Sequence, residues 1–105
     1  MMKTVPVKRV TVIGDNTVEY RIVEDIHALG ATGYTSYAVH GGGAKGMRPR
    51  HAEPGIIKIE VIATAELAQQ ILEHIAKHYF KDHTMIAYID DVEVLRGEKF
   101  GVTDA

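Results

Sequence analysis

The chain has 105 residues, 46% of them hydrophobic and 25% charged, and a formal net charge of -2. That length suits one domain with a core of its own, near the size at which oligomerisation helps stability. The near-neutral balance gives no global reason to bind nucleic acid or an anionic membrane, and the absence of cysteine excludes disulfides, thiol catalysis, iron–sulfur clusters and thiolate zinc sites.

The first nine residues carry charge but no apolar run of signal-peptide kind, and no segment approaches the ~20 apolar residues of a membrane span. A cytoplasmic protein without membrane insertion is expected. Val5 to Ile13, rich in Val, Thr and Ile and ending at Gly14-Asp15, predicts a strand. Asn16 and Glu19 have the spacing of a capping box. Val18, Ile22, Ile26 and Leu29 then recur at helical spacing, with Gly30 as a left-handed stop. Tyr34 to His40 predicts a second strand, entered through Gly33.

A loop of glycines and cations follows, from Gly41 to Gly55, containing Gly41-Gly42-Gly43-Ala44-Lys45-Gly46-Met47-Arg48-Pro49-Arg50. Clustered glycines let backbone N–H groups approach a ligand, and Lys45, Arg48 and Arg50 can neutralise anionic oxygens, which suits phosphate. Gly41, Gly43 and Gly46 satisfy G-x-G-x-x-G literally. The dinucleotide motif must open a helix, however, and here prolines and a strand pattern come next. No G-K-[ST] ending makes a P-loop either. An ordinary solvated loop fits the same residues about as well, although its length between two strands is unusual in a small domain.

Beyond the loop, Ile57, Ile59 and Val61 alternate with Lys58, Glu60 and Ile62, predicting a third strand with one buried face. Thr64 is a plausible N-cap. Ala68, Ile71, Leu72, Ile75, Ala76 and Tyr79 give the clearest helical stripe in the chain. Met85 to Leu95 predicts a fourth strand, and Gly97 to Ala105 shows no period and is expected to be a loosely held tail. The order βαββαβ predicts an α+β, ferredoxin-like sandwich of two helices on a four-stranded antiparallel sheet. Large residues on the opposite sheet face favour a homo-oligomer packing sheet against sheet.

The six histidines raise a metal hypothesis. His74 and His78 stand at i, i+4 on the second helix with His83 close behind, yet no acidic or thiolate ligand has a convincing spacing. Their register places them outside the apolar stripe, as solvated surface residues. His40 and His51 bracket the loop and suit either a ligand contact or plain loop polarity. Asp90 and Asp91, adjacent in a strand, point to opposite faces and cannot share a proton, so a bulge or an oligomer-facing polar position is expected. No nucleophile–base pair is visible, and Ser36 is the only serine, so no catalytic residue is assigned. The third strand lacks the aromatics of RNA-recognition sheets, which argues against nucleic acid.

With this order of elements, the chain resembles PII-family signalling proteins. Gly30-Ala31-Thr32-Gly33-Tyr34-Thr35 is similar to their G-A-x-G-Y-T turn. Gly41 to Arg48 resembles the G-G-x-x-G-x-R loop base of the branch linked to inorganic carbon, which includes the SbtB type and the carboxysome-associated type. Val92 to Phe100 is similar to that branch's close of the last strand. The resemblance implies a single PII-like domain over residues 1–105, with a long T-loop at 41–55 and a C-terminal tail at 97–105. It implies a non-enzymatic homotrimer with adenine-nucleotide sites in the clefts between subunits, binding ADP, AMP, ATP or cyclic AMP and no metal or other cofactor. It also implies a T-loop that reports occupancy to a partner such as a bicarbonate or other membrane transporter.

By matching motif, Gly33, Tyr34, Thr35, Ala63 and Thr64 would lie along the adenosine. Gly41, Gly42, Gly43, Lys45, Gly46 and Arg48 would approach the phosphates. Arg96 and Lys99 would arrive from a neighbouring subunit, and Tyr88 would line the cleft. Three departures qualify the match. The loop between Gly41 and Gly55 has no hydroxyl for covalent modification. Lys81-Asp82-His83-Thr84 replaces the phosphate-binding B-loop of the nitrogen-regulating members, which throws phosphate binding onto the T-loop cations or favours AMP or cyclic AMP. The cysteine pair that ends some SbtB-type proteins is missing, so no redox switch is inferred and the carboxysome-associated type fits better, with bicarbonate as a second ligand. A metal- or anion-binding trimer of the CutA type shares the architecture and is the alternative reading.

Overall fold

The computed structural model describes residues 3–42 and 55–101. The described elements run β1 (Val5–Asp15), α1 (Glu19–Leu29), β2 (Thr35–Val39), β3 (Ile56–Ala63), α2 (Ala65–Tyr79) and β4 (Ile86–Val94). Short 3-10 turns at Asn16–Val18 and Gly97–Phe100 complete the order. The strands form one antiparallel sheet in the order β2-β3-β1-β4, so β1 and β3 are central and β2 and β4 are edges. This is the ferredoxin-like sandwich that the βαββαβ order predicts.

Strand alternation explains where the core lies. Ile57, Ile59, Val61 and Ala63 of β3 and Val10 and Val12 of β1 are buried against the helices. From the helices come Ile22 and Ile26 of α1 and Ala68, Ile71, Ile75 and Tyr79 of α2. Leu72 is only half-buried and Ala76 is exposed, so the α2 stripe is narrower than its spacing predicts. β1 runs two residues past Ile13, through Gly14, where a Cβ would lie 3.2 Å from Met85 Cβ. That close approach explains a glycine inside a central strand.

The caps follow local chemistry, with one correction. Gly30 ends α1 with φ 119, and its N–H donates to His27 O while the Ala31 N–H donates to Ile26 O. The Thr64 hydroxyl accepts from the Leu67 N–H, capping α2 as expected. The expected Asn16–Glu19 capping box does not form. Instead Asp15 accepts from the Thr17 N–H across a 3-10 turn, and the Glu19 carboxylate accepts from the Ser36 hydroxyl at 2.6 Å. A cross-element bond thus takes the carboxylate that the local motif would have used.

The C-terminal segment also differs from expectation. β4 ends at Val94, Arg96 turns the chain with φ 61, and residues 97–100 form a 3-10 turn in which Gly97 is buried. Gly101 closes the turn with φ 83 and sits where a Cβ would be 3.8 Å from Thr64 Cγ2. Gly101 therefore lies beside Thr64, the cap of α2, while the 3-10 turn packs against β1. The expected tail residues 102–105 lie outside the described part.

Candidate functional site

Sheet register sorts the sequence-predicted site residues by position. Thr35 of β2 faces Glu60 of β3, so Gly33 and Tyr34 enter β2 beside the end of β3, where Ala63 and Thr64 turn into α2. These five residues share one end of the sheet. Gly33 and Tyr34 are exposed, and nothing lies within 4 Å of a Cβ placed at Gly33. Ala63 is 1% exposed, backbone included, and belongs to the core, so within the single chain the corner offers a ligand only the half-buried Thr64. Tyr34 also borders two shallow hollows of about 350 Å³ each, with Val23 of α1 shared between them.

Gly41 and Gly42 follow the other end of β2 and are exposed. Eight residues separate Gly33 from Gly41, roughly 26 Å of extended chain at ~3.3 Å per residue. A ligand that touched both groups would have to lie along the edge strand β2. Gly43, Lys45, Gly46 and Arg48 lie outside the described residues, as do Arg50 and His51. Arg96 and Lys99 fall at the Thr64 end, because Gly101 packs beside Thr64 in the same chain.

Tyr88 is elsewhere. The row Thr35–Glu60–Thr11–Tyr88 crosses all four strands, so Tyr88 stands on the far edge from Thr35, about 14 Å away at ~4.8 Å per strand. Within one chain Tyr88 cannot share a cleft with the β2 residues.

The sheet face turned away from the helices is polar and ordered. Tyr37 donates to Glu60 at 2.9 Å, and Lys58 Nζ lies 5.8 Å from the Tyr37 ring centroid. Tyr37 holds the Lys58 ammonium above the usual lysine range by hydrogen bonding and charge. Arg9 makes two bonds to Asp90, at 3.0 and 2.6 Å, and this guanidinium holds the Asp90 carboxyl below the usual aspartate range. Asp91 instead pairs with Lys8 on the opposite side of the strand. β4 runs in unbroken register past both residues, so the expected bulge is absent. Around this lattice Tyr37, Ile86 and Tyr88 are exposed.

Sequence reasoning missed a polar cluster between the helices. Asp25 of α1 accepts from the Tyr79 hydroxyl at 2.5 Å and pairs with His74 Nε2 at 2.9 Å. Burial pushes the Tyr79 phenol up to about 12, helped by its bond to Asp25. For Asp25 burial acts upward, but the bonds from Tyr79 and His74 and the charge of nearby imidazoles outweigh it and leave the carboxyl below its ordinary range. His74 is thus partly buried and engaged, not the solvated residue that its register suggests, whereas His78 is exposed and its ring lies 4.3 Å from that of His74. Among the described residues no three His, Cys, Asp or Glu side chains are grouped as a metal site requires. No described helix is long and apolar enough to cross a membrane.

Residues 7–99 match the family model described as Nitrogen regulatory protein P-II, and the chain belongs to that family. It is similar, at 39% identity, to a protein of Thermus thermophilus described as a PII-like signalling protein, with a TM-score of 0.82 over 94% of this chain and 99% of that one. It also resembles CPII of Thiomonas intermedia, a nitrogen regulatory PII-like protein. One CPII structure, bound to ADP, AMP and bicarbonate, gives 25% identity and a TM-score of 0.85 over 95% of this chain and 98% of that one. Another, bound to ADP and bicarbonate, gives 24% and 0.83 over 95% and 99%, a likeness of fold. The protein is therefore a PII-like signalling protein.

Proposed function

We propose that this chain is a non-enzymatic adenine-nucleotide sensor of the inorganic-carbon-linked PII branch, a single-domain homotrimer with nucleotide sites between subunits. The carrying observation is the family match, together with the CPII relative bound to ADP, AMP and bicarbonate. Adenosine would lie by Gly33, Tyr34, Thr35 and the Ala63–Thr64 corner, with phosphates running along β2 toward Gly41, Gly42, Gly43, Lys45, Gly46 and Arg48. The positions of Tyr88 and Thr35 on opposite sheet edges support a cleft built from two subunits, one giving β2 and the next giving β4. Arg96 and Lys99, which stand at the Thr64 end of their own chain, would reach phosphates near Gly41 from that neighbour.

Ordering a glycine-rich loop costs roughly 1–2 kcal/mol per residue fixed. Contacts from Lys45 and Arg48 to phosphate would offset that cost and select one T-loop shape over residues 41–55, which a transporter or other partner would read. Bicarbonate is the second ligand in this reading. Calorimetric titration with ADP, AMP, ATP and cyclic AMP, with and without bicarbonate, tests it on protein whose mass in solution is measured alongside. Saturable binding of at least one nucleotide by a trimer is expected. A folded protein that binds none of the four would overturn the proposal.

A further inference from the structure

We propose that Asp25 is a positioning residue that clamps α1 to α2 and thereby holds the Gly30–Thr35 turn in the shape that adenosine meets. The binding half of this inference rests on the nucleotide reading above. The clamp itself rests on geometry.

α1 is short, and among the described residues it commits only Val18, just before it, and Ile22 and Ile26 to the fully buried core. Apolar contact is non-directional, so packing alone leaves a short helix more freedom of roll than packing with bonds does. Directional bonds remove that freedom. Asp25 supplies two of them from one carboxylate oxygen, Oδ2, which accepts from Tyr79 and pairs with His74 of α2. Tyr79 is 4% exposed and fixed by core packing, so the hydroxyl is a rigid anchor. Arg21 of the same helix stacks over the Tyr79 ring at 5.3 Å and reaches His83 at 3.3 Å, adding a second hold one turn earlier.

The clamp lies one residue before Ile26, whose carbonyl accepts from both the Gly30 and the Ala31 N–H. Five residues of helix span about 7.5 Å from Asp25 to Gly30, a short and stiff lever. Gly30 leads directly into Gly33, Tyr34 and Thr35. The rotation of α1 set at Asp25 is therefore the rotation with which the turn leaves the helix. Tyr79 is a core residue whose hydroxyl donates to this carboxylate, so removing the hydroxyl leaves the ring in place and takes away the bond.

The test compares hydrogen exchange at the Gly30 and Ala31 amides, both hydrogen-bonded in the wild type, with ADP affinity by calorimetry. The variants are Tyr79→Phe, Asp25→Asn and, as a control on α2 that leaves the clamp intact, Ile71→Val. The clamp variants should speed exchange at these two amides by roughly 2- to 30-fold and weaken ADP by a similar factor, the range for coupling through packed networks. Ile71→Val should not single out these amides. Unchanged exchange in Tyr79→Phe, or the same increase in Ile71→Val, overturns the clamp. If Asp25→Asn fails to fold, Tyr79→Phe decides alone. Wild-type protein that binds none of the four nucleotides removes the nucleotide reading, and the exchange data still decide the clamp; if it binds another of the four but not ADP, that nucleotide takes ADP's place in the affinity comparison. ADP binding at full affinity despite faster exchange removes the positioning role.

Discussion

The two faces of the one sheet solve different problems with residues that alternate along the same strands. On the helix side, β3 presents Ile57, Ile59, Val61 and Ala63, all buried, and the contacts are shape alone. On the other side the same strand presents Ile56, Lys58, Glu60 and Ile62, all half-buried, and charges are bonded to neighbours across the strands. A face meant for bulk water needs neither exposed Ile86 and Tyr88 nor a bidentate Arg9–Asp90 pair held in register. A face meant for a second copy of the chain benefits from both, since apolar area gives affinity and fixed charges give register. The helix side is thus settled within one chain by burial, while the outer face keeps apolar and charged groups that a second copy of the proposed trimer would use.

The largest effect should come from the helix side. Ile59→Ala removes a fully buried side chain and is expected to cost about 2–5 kcal/mol, read as a lower midpoint in urea unfolding with an unchanged slope. A cost well under 1 kcal/mol would mean that Ile59 does not anchor the core. On the other face, Ile86→Glu alters a residue that is 57% exposed in the single chain. A solvated position would tolerate it within about 0.5 kcal/mol. If the face joins subunits, sedimentation should show the trimer dissociating, and an intact trimer would mean that Ile86 faces solvent in the assembly.

The smallest effect concerns acid. Arg9 lowers the folded-state Asp90 pKa, so the pair contributes stability above the unfolded aspartate value of about 3.9 and loses it as pH falls through the lower folded value. Thermal unfolding from pH 6 downward should thus show a shallower acid loss in Asp90→Asn than in the wild type. Identical pH profiles would mean that this exposed pair is too well solvated to count.

What was legible in the sequence was whatever repeats at short range. Ile57-Ile59-Val61, the Ala68–Ile71–Ile75–Tyr79 stripe, Gly30 and Thr64 each announce their element within a few positions, and each stands where its spacing puts it. The failures are long-range competitions. Glu19 reads as a capping-box partner until Ser36, 17 positions away, takes its carboxylate. His74 reads as solvated until Asp25, 49 positions away, comes alongside it. For the candidate site, the turn and the corner that the motifs suggested do come together at one end of the sheet. The placement of Tyr88 on the far edge was visible only once strand order was known. The loop cations Lys45 and Arg48 fall outside the described residues.

The strand order carries a consequence for how the chain is made. β1 is central, yet its two partners are β3 and β4, and the Arg9–Asp90 pair joins residues 81 positions apart. As the polypeptide leaves the ribosome, β1 is made before either partner, and its second side stays uncovered until β4 has been made. Until Ile86–Val94 arrives, the middle of the future sheet is an unpaired edge rich in Val, the kind of surface that recruits other chains. Such delayed, non-local pairing also slows folding. A longer exposure of the β1 edge during folding therefore follows from strand order itself, whatever the stability of the finished core.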